Sequence, residues 1–68
     1  MQEKYFKELG ARIKKLRKEK KLTLSSLCYK NGLEPSTVSR IEKAQVDAKL
    51  STLLKIAEAL DIKLNDLI

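Results

Sequence analysis

Gly32 and Pro35 bracket a two-residue gap in the middle of a chain that holds only two glycines and one proline. Both residues punctuate local structure strongly. Glycine reaches the left-handed backbone that ends a helix without a Cβ penalty. Proline is best tolerated at the first position of the next helix, where its missing N–H is no loss. Short segments flank the gap, with Leu27 and Cys28 facing inward before it and Val38 and Ile41 after it. Leu33 and Glu34 are left to make a tight turn. The chain is therefore constrained to two short helices across a sharp bend, expected at residues 24–31 and 35–43. Thr23 is expected to cap the first of them, its hydroxyl accepting from an unpaired N–H of the first turn.

Outside this pair the period is again helical. Phe6, Leu9, Ile13 and Leu16 follow +3, +4, +3 spacing and fall within about 80° on a helix expected at residues 4–20. Arg17 lies only about 20° beyond Phe6, at the edge of that stripe. A guanidinium there must find an acceptor, because burying it unpaired is too costly. Leu50, Leu53, Leu54, Ile56, Ala57 and Leu60 cover an arc of about 160°, which reads as a central, heavily buried helix at residues 49–60. Asp47 is its expected cap. A last turn at residues 64–68 carries Leu64, Leu67 and Ile68. No alternating, β-branched stretch calls for a strand. The expected fold class is all-α, a compact five-helix bundle.

Stability must come from this core alone. A chain of 68 residues is marginal by surface-to-volume scaling. With one cysteine and no histidine it forms no internal disulfide, and most zinc sites are excluded. No apolar run is long enough to span a membrane, and no signal-peptide pattern opens the sequence. The expected location is cytoplasmic, with Cys28 a free, buried thiol. An enzyme reading is poor, lacking a histidine base, a glycine-rich phosphate loop and a metal cluster. No cofactor and no metal are expected.

Charge is concentrated at the front. The net charge is +6, and residues 1–21 alone carry nine basic and three acidic residues. Residues 22–43 are +1 and residues 44–68 are −1. A basic front with a near-neutral remainder suits a polyanion partner. The two short helices form a helix-turn-helix, and the outer face of the second is the informative surface. Measured from Ser36, Arg40 lies at about 40°, Lys43 at about −20° and Ser39 at about −60°, opposite Val38 and Ile41. Short hydroxyl side chains let such a helix approach the floor of the major groove, and arginine can pair with guanine O6 and N7. Lys43, near the helix end, suits a backbone phosphate.

The sequence resembles the Xre family, helix-turn-helix regulators related to the lambda repressor and Cro. The likeness covers about residues 9–68. It is carried by residues 12–17 (RIKKLR), 22–27 (LTLSSL), 32–42 (GLEPSTVSRIE), 50–60 (LSTLLKIAEAL) and 65–68 (NDLI). Residues 1–8 are then an extension of the first helix, and the motif spans about residues 23–43. The resemblance implies a five-helix bundle that binds double-stranded DNA as a homodimer on a pseudo-palindromic operator, as a transcriptional repressor. The residues expected at the DNA are Thr23, Ser36, Thr37, Ser39, Arg40 and Lys43. The family also supplies an acceptor for Arg17: a structural ion pair with Glu42.

Departures from the family pattern are visible. Leu24 stands where a glutamine often meets the DNA backbone. Pro35 brings no side-chain donor, so base reading starts at Ser36. Ala44 and Ala48 replace a frequent glycine and proline, so a positive φ at Ala44 implies strain. Cys28 replaces a small alanine. The apolar end formed by Leu64, Leu67 and Ile68 is the expected dimer interface. An antitoxin-type module holding a partner protein as well as DNA is the alternative reading. A membrane-surface use of the basic first helix is disfavoured because its apolar stripe is needed for the core.

Overall fold

The computed structural model describes residues 2–29 and 31–68, and of Gln2 the backbone only. Met1 and Lys30, which fall inside the expected extension and the expected second helix, lie outside the described residues. The helices are α1 (Gln2–Glu19), α2 (Leu24–Cys28), α3 (Pro35–Glu42), α4 (Leu50–Ala59) and α5 (Leu64–Leu67). Among the described residues there is no strand. The core gathers Ile13, Leu27, Cys28, Val38, Ile41, Leu53, Ile56, Ala57, Leu60 and Leu67, with Leu9, Leu16, Leu22 and Leu33 packed around it. The long α1 touches both α3 and α5, while α2 bridges α3 and α4.

Local chemistry explains most boundaries. Thr23 caps α2 as expected: its Oγ1 accepts from the Ser26 N–H at 3.0 Å, and the Thr23 N–H donates to Ser26 Oγ at 2.8 Å. This reciprocal arrangement satisfies two orphan donors. α2 stops at Cys28, three residues short of the expected end. The Asn31 amide donates to the Leu27 carbonyl at 2.8 Å and to the Tyr29 carbonyl at 3.0 Å. A short polar side chain competes here with the helix for its own carbonyls, and Tyr29 turns extended. Gly32, at φ 67°, therefore makes the turn rather than the helix cap.

Three other helices end in left-handed residues that are not glycine: Lys21, Ala44 and Asp61, at φ 59°, 58° and 56°. In each case the following residue closes back on the helix, Leu22 to Arg17, Gln45 to Arg40 and Ile62 to Ala57. The left-handed residue itself bonds three back, so all three are Schellman caps. The strain expected at Ala44 is present. Two expectations for α4 fail. Its N-cap is Lys49, without a side-chain cap bond. Asp47 sits two residues before the cap, too early to reach the N–H groups of the first turn. Leu50 and Leu54 are 60% and 45% exposed rather than buried, because the bundle covers only the Leu53, Ile56, Ala57 and Leu60 side.

The chain end also differs from expectation. Leu67 is fully buried and completes the core of its own molecule, so it is not available as a dimer contact. Leu64 is half-buried and Ile68 alone of the three is open, at 64% exposed. Arg12 Nη1 donates to the Leu67 carbonyl at 2.9 Å and fastens this last turn to α1.

Candidate nucleic-acid interface

The outer face of α3 is built by what holds its inner face. Val38 and Ile41 are buried, which turns Ser36, Arg40 and Lys43 outward into solvent. Thr37 and Ser39 lie half-buried on the two edges of that face. Lys43 is the C-cap, one residue past the helix. Among the described residues, the side chains of Ser36, Arg40 and Lys43 have no partner. Glu34 makes no side-chain cap bond and Pro35 has no N–H, so the N–H groups of Ser36 and Thr37 in the first turn of α3 have no acceptor among the described residues. Thr23 is exposed, but its hydroxyl is engaged in capping; it orients the start of α2.

Three features fix the far end of α3. Arg17 Nε donates to Glu42 Oε2 at 2.8 Å and Nη2 donates to Oε1 at 3.1 Å, a two-point pair. Nη1 donates to the Leu22 carbonyl at 2.8 Å. One guanidinium thus joins α1, the α1–α2 connection and α3. Both side chains are nearly removed from water, at 10% and 5% exposed. The Glu42 hydrogen bonds raise the Arg17 pKa against the opposing effect of burial, so the guanidinium stays charged. The second feature is Gly10, buried mid-helix in α1. A Cβ built there would stand 2.5 Å from the carbonyl oxygens of both Ile41 and Glu42. α1 and α3 cross at the distance only a glycine allows. The sequence reading missed Gly10, although a glycine inside a long helix carries a cost of about 1 kcal/mol and so signals a packing reason. The third is the Schellman cap closed by Ala44 and Gln45.

The sequence profile described as "Helix-turn-helix" matches residues 13–67. The chain belongs to the Xre-type helix-turn-helix family. Its relatives include the immunity repressor protein of Bacillus phage phi105, 40% identical over 60 residues, 88% of this chain and 42% of that protein. The HTH-type transcriptional regulator SinR of Bacillus subtilis (strain 168) is 38% identical over 61 residues, 88% of this chain and 55% of that protein. The chain thus spans about half the length of these curated relatives. Among solved structures, the restriction-modification controller protein C.AhdI from Aeromonas hydrophila superposes with a TM-score of 0.88 at 35% identity, covering 93% of this chain and 96% of that one. The clp gene regulator ClgR from C. glutamicum shares the fold, with a TM-score of 0.82 at 24% identity, over 91% of this chain and 80% of that one.

Against the family pattern, Leu24 is half-buried and packs on the core, which explains why an apolar residue is accepted there. Cys28 is buried, and burial together with the Glu42 carboxylate pushes its thiol pKa up, partly offset by Arg17. It is a packing residue, protonated and unreactive.

Proposed function

We propose that the chain binds double-stranded DNA sequence-specifically through α3 and acts as a transcriptional repressor by occupying an operator. It is not an enzyme; its family and named relatives are regulators. The observation that carries the reading is Arg40: an exposed guanidinium beside Ser36, without a partner among the described residues, on a helix whose far end is clamped by the Arg17–Glu42 pair. Fixed in this way, Arg40 can make the two-point contact to guanine, Ser36 a shorter base contact, and Lys43 a phosphate contact. Thr37 and Ser39 border the same groove, and Thr23 sets the α2 N-terminus against the backbone.

Binding by a homodimer to a pseudo-palindromic site is part of this proposal, with the two copies of α3 about 34 Å apart. The apolar surface offered to a second copy is Val46, Leu50 and Leu54 rather than the buried Leu67. No helix among the described residues is long and apolar enough to cross a membrane, and we place the protein in the cytoplasm with the nucleoid.

A selected-sequence binding assay tests the reading. Arg40→Ala should weaken the selected site by about 1–3 kcal/mol and relax the preference at one base pair. Lys43→Ala should weaken all duplexes alike and lower the salt slope by about one unit. Equal loss on selected and random DNA by Arg40→Ala, with base preference intact, would make Arg40 a phosphate contact.

A further inference from the structure

The nine basic residues of the first 21 are more than α3 can account for, and α1 sorts its charges around its circumference. Taking Ile13 as the direction of the core, Gly10 and Arg17 point to about 60° and 40°, toward α3. Arg12 points to about −100°, toward the end of α5. Lys14, Lys7 and Lys18 stand at about 100°, 120° and 140°. They are exposed and lie just past the flank against which α3 packs. The lysine stripe therefore borders the flank of α1 that meets the Glu42 end of α3, next to Lys43. The acidic residues of α1 are mostly elsewhere: Glu8 and Glu19 lie at about −140° and −120°, on the α5 side. Glu3 is the exception, one turn before Lys7, and offsets part of that charge.

The stripe is unfavourable for the isolated domain. Lys14 and Lys18 are an i, i+4 like-charge pair, which destabilises a helix by about 0.2–0.5 kcal/mol. No carboxylate among the described residues pairs with either. We infer that Lys14 and Lys18, with Lys7 at the margin, form a second phosphate-contacting surface that extends the DNA footprint beyond the groove occupied by α3. This rests on the DNA-binding reading and adds to it a partner for α1: the sugar-phosphate backbone flanking the half-site. Lysine stems can reach outward from α1 to phosphates that α3 itself passes by, and a row of point charges reads no sequence.

The test is a salt titration of binding to random-sequence duplexes, one of about 30 bp and one trimmed to about 12 bp, for three proteins. These are the wild type, Lys14→Gln/Lys18→Gln, and Lys4→Gln/Lys15→Gln. The last removes the same charge from the back of α1, at about 180° and −160°, away from the flank that meets α3. Helical circular dichroism confirms that each is folded. The stripe variant should lower the salt slope by about two units on the long duplex and lose on the order of tenfold affinity there. The loss should shrink on the short duplex, and the control variant should stay close to wild type. Equal slopes for the stripe and control variants overturn the inference while leaving α3 as the reader. Failure of the wild type to bind any duplex overturns the DNA reading and the inference together. Stripe-dependent binding to anionic vesicles, with an unchanged DNA slope, would reassign the stripe to a lipid surface and overturn it as well.

Discussion

Arg17→Ala is the most informative single perturbation of the fold. It removes three hydrogen bonds, two to the Glu42 carboxylate and one to the Leu22 carbonyl. It also leaves a carboxylate that is only 5% exposed without its counter-charge. Breaking a buried pair by removing one partner costs about 3–5 kcal/mol, most of it the stranded charge. A 68-residue domain has about 3–10 kcal/mol in total. The single variant should therefore lose from about a third to all of the fold's stability. Arg17→Lys keeps the charge but loses the fork, and should cost on the order of 1–2 kcal/mol. Arg17→Met combined with Glu42→Leu should recover most of the loss, since two apolar groups strand nothing. Urea unfolding of wild type, Arg17→Met, Glu42→Leu and the double variant, followed by circular dichroism, gives the four corners of the cycle, and a coupling energy of about 2 kcal/mol or more is expected. The pKa of Arg17 is raised in the folded state, so the stability linked to its own proton is present at neutral pH and is lost as pH climbs through the folded value, in strong alkali. A coupling below about 0.5 kcal/mol would refute the reasoning, because a pair of that size is what exposed charges give.

Gly10→Ala should destabilise by about 1–3 kcal/mol in the same urea assay. The helix propensity gained, about 1 kcal/mol, is outweighed by a Cβ forced against two backbone carbonyls. Ala44→Gly should raise stability by up to about 1 kcal/mol, the left-handed strain relieved exceeding the chain entropy lost; no shift in the urea midpoint would mean that the strain is already absorbed. Burial raises the Cys28 thiol above its ordinary 9.0, so the unfolded chain gives up that proton first. Stability should fall as pH rises above 9.0, and Cys28→Ala should flatten this alkaline limb relative to wild type. Leu54→Ser should shift sedimentation toward monomer without loss of helicity, whereas Ile68→Ser should leave the oligomeric state unchanged.

Much of the fold was legible because the governing chemistry is local. Pro35 marks its own position, Thr23 announces a cap, and the +3, +4 spacing of Phe6, Leu9, Ile13 and Leu16 locates α1. Arg17 was legible as a problem: its angle put it at the rim of the core, and the family resemblance named Glu42 as the answer. What failed was decided elsewhere. Asn31 shortens α2 through a side-chain bond that competes with a helix of adequate propensity, and periodicity carries no trace of such competition. The wide apolar arc of α4 places Leu50 and Leu54 in the core by sequence, yet the number of helices available to cover an arc is a tertiary property. Gly10 required knowing that α1 and α3 cross at that residue. Leu67 and Ile68 look equivalent in sequence, but the final turn brings one under Arg12 and leaves the other outside.

The candidate site is less legible than the fold for a physical reason. The outer face of α3 makes no bond within the described protein that would constrain it, so no stability argument selects its residues. Everything that holds α3 acts on its inner side or its far end: Val38 and Ile41 in the core, Gly10 beneath the last carbonyls, Arg17 on Glu42, and the closure at Ala44 and Gln45. Ser36 and Arg40 can change without disturbing any of these, and surface changes of that kind usually move stability by less than about 0.5 kcal/mol. A rigid frame with an energetically free face is what allows one fold to read many operators. It also means that substitutions on the two sides of α3 should separate cleanly, one set shifting the urea midpoint and the other shifting base preference.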